Sequence, residues 1–80
     1  MPEDELVRTF EDAAGRRWDV AVSEESYGML RLLFAARDGS ELRAHALEVS
    51  SRGDAERMLL ALRETELLAL LGAALAWQPG

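Results

Sequence analysis

MLLALRETELLALLGAALAW, residues 58–77, is the stretch on which the reading of this chain turns. Eight leucines fall between Leu59 and Leu75, and they do not share one helical stripe. At about 100° per residue from Met58, the residues Ala55, Met58, Leu59 and Leu62 centre near ~50°. Leu67, Leu68, Leu71, Ala74 and Leu75 centre near ~220° on the same scale. A straight helix would bury one group and expose the other.

Three arrangements resolve the conflict. The helix can break around Arg63-Glu64-Thr65, giving two short helices with Thr65 or a neighbour as cap. It can run on, with each half facing a different body. It can also be sandwiched between the sheet and a partner chain. Intrinsic propensity favours continuity, because Arg, Glu, Ala and Leu are good helix formers and no Gly or Pro intervenes before Gly72. All three leave surplus apolar surface. Each leucine removed from water contributes about 1.5–3 kcal/mol, against a net stability of roughly 5–15 kcal/mol for a whole domain. Association with a second copy uses such surface, and two-fold symmetry is the commonest arrangement.

Upstream of this stretch the pattern changes from helical to alternating. Leu6–Phe10 and Arg17–Val22 read as strands, joined by a three-residue loop Ala13-Ala14-Gly15 with Gly15 in the left-handed region. That register sets Asp12 opposite Arg16, Glu11 opposite Arg17 and Phe10 opposite Trp18. Two opposite-charge pairs and one aromatic pair are favourable cross-strand neighbours. Ser23–Gly28 reads as a connection. Met29–Ala36 and Glu41–Val49 read as the third and fourth strands. Two registers compete for this second hairpin. A two-residue Asp38-Gly39 turn puts Phe34 opposite Arg43 and Leu32 opposite His45, mixing polar with apolar. A three-residue loop Arg37-Asp38-Gly39 gathers Leu30, Leu32 and Phe34 with Leu42, Ala44 and Ala46. A slip of one residue flips a whole strand, so the cleaner face selects the three-residue loop. Ala44 and Ala46 would then let a helix lie close, while Met29, Arg31, Leu33, Arg43, His45 and Leu47 would line the opposite face. Ser51 or Asp54 is placed to cap the helical region, and Pro79-Gly80 to stop it.

The fold class expected is α+β: a four-stranded antiparallel meander, then one long or two short C-terminal helices on one sheet face. Residues 1–4 read as a flexible acidic tail and residues 5–80 as one domain.

Composition narrows the function classes. The 80 residues contain no cysteine, which removes disulfides, thiolate nucleophiles and Cys-ligated zinc. The net charge of −6 argues against unaided binding to nucleic acid or to an anionic membrane. All nine cationic residues are arginine, and Lys, Asn and Ile are absent. Codons for those three are AT-rich, which points to a GC-rich, bacterial genome. The longest apolar run, Leu67 to Trp77, has 11 residues, where a membrane span takes ~20. The acidic start Met1-Pro2-Glu3-Asp4-Glu5 is unlike a secretory signal, so a cytoplasmic location is expected.

No catalytic constellation stands out. His45 is the sole histidine. Ser50, Ser51 and Asp54 are near it in sequence but outside any nucleophile-elbow motif, so His45 reads as an ordinary sheet residue. Glu3, Asp4 and Glu5, with Glu24 and Glu25, lack the spacing of a calcium loop and read as solvated charge. The glycines form no phosphate-binding motif. No cofactor or metal is expected. Trp18 reads as a core partner of Phe10. Trp77 either seals an interface or caps the core.

The order of four strands and a helix resembles that of the PC4-like single-stranded-DNA-binding coactivators, which dimerise. The resemblance is one of topology. It implies a regulatory protein using a face that carries Arg31 and Arg43. No motif of that family is present, so none of its functional residues carries over. The reading made from the residues themselves is a non-enzymatic interaction module, a homodimer or a binder of another protein. Its expected surface comprises Met29, Arg31, Leu33, Arg43, His45, Leu47, Leu67, Leu71, Leu75 and Trp77.

Overall fold

Asp12 organises the first turn of the chain. Its Oδ1 accepts from the backbone N–H groups of Ala14 and Arg16, both at 2.9 Å, and its Oδ2 accepts from Trp18 Nε1 at 2.9 Å. Gly15 sits in the left-handed region at φ 85°. The hairpin joins β1 (Val7–Glu11) to β2 (Arg17–Glu24) with Phe10 opposite Trp18 and Glu11 opposite Arg17, the register its side chains predict. The structure, a computed structural model, describes residues 6–24 and 29–77. The acidic tail, the Glu25–Gly28 part of the expected connection and the Pro79-Gly80 stop signal lie outside those residues.

β3 (Leu30–Ala36) and β4 (Leu42–Ala46) continue an antiparallel meander in the order β1-β2-β3-β4-β5. Here the expected register is overturned. Phe34 lies opposite Arg43, Leu32 opposite His45 and Leu33 opposite Ala44. The loop holds four residues, 37–40. Ala36 donates to the Glu41 carbonyl at 3.0 Å, and Gly39, at φ 78°, donates to the Ala36 carbonyl at 2.9 Å. Asp38 Oδ1 accepts from the Ser40 backbone N–H and hydroxyl at 2.9 and 2.6 Å, bracing the turn.

The physical reason lies in Arg43. An arginine among apolar neighbours looks misplaced on a core-facing strand, but this one has partners there. Its guanidinium lies 5.3 Å from the Trp18 ring centroid, its Nε pairs with Glu41, and its Nη1 donates to the Leu71 carbonyl at 3.1 Å. Ala44 accordingly faces away from the helices, so the expected close approach of a helix over Ala44 and Ala46 does not occur.

Ser51 caps α1 (Arg52–Ala61), its hydroxyl accepting from the Asp54 N–H at 3.1 Å. Leu62 and Arg63 are both extended, and α2 (Glu64–Ala73) then begins, with the Glu66 carboxylate accepting from the Arg63 N–H at 2.7 Å. The helix is therefore broken, one residue earlier than the sequence suggested, and the continuous alternative is wrong. Magnitudes explain why. A break sacrifices intrahelical hydrogen bonds worth about 0.5–1.5 kcal/mol each. It turns Leu67 and Leu71 inward, at about 1.5–3 kcal/mol each. Two carbonyls at the break, those of Leu59 and Leu62, are also re-bonded. Neither helix has a basic residue in its last turn. Instead Arg8 on β1 donates through Nη1 to the Leu59 carbonyl at 2.7 Å and to the Leu62 carbonyl. Arg43 serves the end of α2 in the same way. A guanidinium on the negative end of a helix is favourable beyond its hydrogen bonds.

Both helices lie on one side of the sheet. Ala55, Leu59, Leu67 and Leu71 close over Trp18, Val20, Leu32 and Phe34, and Phe10 meets Phe34 edge to face at 6.1 Å. After Ala73 the chain leaves the helix and forms a fifth strand that the sequence did not suggest. β5 (Leu75–Ala76) pairs with β4, Leu75 opposite Ala44 and Ala76 opposite Arg43, and Trp77 donates to the Leu42 carbonyl at 2.8 Å. This short strand covers what would otherwise be an open sheet edge.

Arg8 is tested by substitution. We expect Arg8→Ala to lower stability by about 2 kcal/mol, since it removes two charge-assisted bonds to partly buried carbonyls. We expect Arg57→Ala, which removes an exposed pair with Asp54, to cost less than about 0.5 kcal/mol. Urea unfolding of both variants measures the difference. Equal small losses would show that the end of α1 does not need Arg8.

Candidate interaction surface

Strand alternation divides the sheet into two unlike faces. Even-numbered residues of β2 and β3 (Trp18, Val20, Val22, Leu30, Leu32, Phe34 and Ala36) face the helices and are buried. Odd-numbered residues face the other way: Arg17, Asp19, Ala21 and Ser23 on β2, and Arg31, Leu33 and Ala35 on β3. Pairing extends that second face to Val7 and Thr9 on β1, to Leu42, Ala44 and Ala46 on β4, and to Leu75 on β5. Met29, just before β3, continues the same alternation. Among the described residues no helix covers this face. Val7, Met29 and Leu75 are 47, 50 and 76% exposed, which marks the face as apolar and open to solvent.

Its charged groups lie toward its two ends, Glu11, Arg17, Asp19 and Arg37 at one and Arg31 at the other. Thr9 Oγ1 donates to Asp19 Oδ1 at 2.7 Å, and Arg37 Nε lies 3.8 Å from Asp19 Oδ2. The Arg31 guanidinium lies 4.8 Å from the Trp77 ring centroid, within cation–π range. The Arg31 Nε is buried and has no hydrogen-bond partner. Ala44 is also buried, beside Leu33 and Leu75.

The expected surface is thus split. Met29, Arg31, Leu33, Leu75 and Trp77 belong to the uncovered face or its margin. Arg43 and His45 point to the helix side, because of the register. Leu47 is half-buried against the core, and Leu67 and Leu71 are inside it. Val7, Ala21, Ala35 and Leu42 were missed. The alternation in β2 and β3 could have found Ala21 and Ala35. Leu42 required the true hairpin register.

A concavity lies on the helical side. It is an open groove of about 500 Å³ between the end of β4 and the helices, lined by Ala46, Leu47, Met58, Leu62 and Leu70 with His45 and Glu48. The lining brings no nucleophile to His45. No three Asp, Glu or His side chains converge among the described residues.

Electrostatic order is concentrated where the two hairpin turns meet. Glu41 binds Arg43 and, at 2.8 Å, Arg16, and these two arginines hold its carboxyl below the usual range. The Arg16 guanidinium also lies 5.3 Å from the Trp18 ring centroid. The indole N–H of Trp18, then the Arg16 backbone N–H, depress Asp12. The Ser40 hydroxyl and backbone N–H depress Asp38. This cluster ties the turns together and leaves its arginines engaged.

No protein family, no characterised protein and no solved structure matched this chain when compared with it.

The depressed carboxylates set a pH dependence. Folding favours their ionised forms, so their contribution is complete above the unfolded carboxylate range near ~4. It is lost as pH falls through the lower folded values. We expect the thermal midpoint to drop below about pH 4, and Asp12→Asn to flatten that drop. Unfolding curves across the acid range measure it. An unchanged slope in Asp12→Asn would remove Asp12 from the account.

Proposed function

We propose that this protein is a non-enzymatic interaction module that works as a homodimer through the uncovered face of its sheet. The observation that carries the reading is the contrast between the two faces. One is sealed by helices. The other presents Val7, Met29, Leu33 and Leu75 with nothing described above them. Large exposed apolar patches on small proteins mark association sites. The chain is too short to waste such surface, since a small core leaves little margin.

The apolar surface left open lies on the sheet more than on the helices. The helix break shelters most of the leucines. Leu59, Leu67 and Leu71 are buried, Leu62, Leu68 and Leu70 are half-buried, and only Leu60 of the two helices remains exposed among the leucines. On this reading the protein is cytoplasmic and needs no cofactor or metal. No helix among the described residues is long and apolar enough to cross a membrane.

A nucleic-acid surface would need Arg31 and Arg43 side by side. They point to opposite faces, and Arg43 is already bound to Glu41 and to the end of α2.

Light scattering at micromolar concentration tests the proposal. We expect twice the chain mass for the native protein. Leu33→Glu should give a folded monomer, because a charge at the centre of the face cannot be buried unpaired. Leu60→Glu, on the exposed side of α1, should leave the dimer intact. A native protein that runs as a monomer would contradict the proposal.

A further inference from the structure

We infer that the uncovered face is occupied by a second copy related by a two-fold axis that crosses the strands at the Ala21–Leu33 pair, setting Asp19 of each copy against Arg31 of the other. The inference rests on the proposed homodimer and adds its geometry.

A two-fold interface uses the same patch twice, so that patch must complement itself. Among the charges on this face, Asp19 and Arg31 do so; Glu11 and Arg17 lie opposite each other on neighbouring strands, and Arg37 lies 3.8 Å from Asp19. Ala21 lies opposite Leu33, Asp19 opposite Ala35, and Ser23 opposite Arg31. Asp19 is two residues before Ala21 on β2, and Arg31 is two residues before Leu33 on β3. Because the strands are antiparallel, the two charges fall on opposite sides of the pair. Each lies about 7 Å from it along its strand, and the two strands are ~4.8 Å apart. The Ala21–Leu33 pair is therefore the midpoint between one acid and one base. Rotation by half a turn about an axis in the plane of the face, perpendicular to the line joining them, carries each charge over the other's position.

That axis runs roughly across the strands. The strands of the two copies then cross at roughly 40°, nearer to the aligned than to the orthogonal way in which sheets stack, at a spacing of about 10 Å. The axis sets Leu33 of one copy over Leu33 of the other and Ala21 over Ala21, so apolar groups meet at the centre.

The area suffices. Four full strands of about six residues give a footprint of roughly 20 by 20 Å. A corrugated face of that size carries on the order of 600 Å² of accessible surface, so two copies bury about 1,200 Å², the lower end for specific interfaces.

Reciprocal charge reversal tests the axis. Arg31→Asp and Asp19→Arg each place like charges together twice in the dimer, and each should weaken it about tenfold or more. The double variant should return to within about threefold of the native dissociation constant. Sedimentation equilibrium reads all three, and circular dichroism confirms folding. Should a reversal fail to fold, Arg31→Gln and Asp19→Asn replace it, each expected to weaken the dimer by about threefold or more. A native dimer unaffected by the single changes, or a double variant no better than either, would overturn the axis and leave the interaction module standing. A monomeric native protein would overturn both.

Discussion

Two arginines that rise from the sheet hold the carbonyl ends of both helices. Arg8 reaches the carbonyls of Leu59 and Leu62, and Arg43 reaches that of Leu71. Without Arg8, the break after α1 would leave the Leu62 carbonyl without that donor and the Leu59 carbonyl with only the Leu62 N–H at 3.4 Å. With it, the chain can turn at Leu62 and Arg63 and present two opposed leucine stripes to the same sheet. The inward rotation of Leu67 and Leu71 depends on that contact. So does the position of α2 over β4, and with it the path that delivers Leu75 and Ala76 to the β4 edge.

The same arginines account for which parts of the fold were legible in the sequence. The first hairpin could be read because its cross-strand partners are self-evident: Glu11 with Arg17, and Phe10 with Trp18. The conflict between Leu59 and Leu67 was legible as two stripes, and a break was among its solutions. Local propensity favoured continuity because it is blind to a capping group more than 50 residues upstream. The second hairpin failed for a related reason. Sorting residues into polar and apolar classes moved Arg43 off the core side, whereas its long side chain satisfies an aromatic ring, a carboxylate and a helix end there. β5 left no signal, since Leu75-Ala76 is two residues long and follows directly on helix-forming sequence.

These two errors explain the mixed fate of the expected surface. Correct alternation within β3 placed Met29, Arg31 and Leu33 together, and the structure keeps them together. The wrong register added Arg43 and His45 from β4. The unresolved helix added Leu67 and Leu71. Once the break has drawn those two inward, the apolar surface still open lies mainly on the far side of the sheet. On the proposed reading, the second copy meets strands rather than helices.

Methyl NMR on a dimer assembled from one isotope-labelled and one unlabelled copy examines that conclusion most directly. Contacts between copies should connect the Leu33 methyl groups of one copy to those of the other, with further contacts from Ala21 and Val7, and none should involve Leu60. Contacts between copies confined to α1 and α2, with the sheet methyl groups silent, would contradict the account.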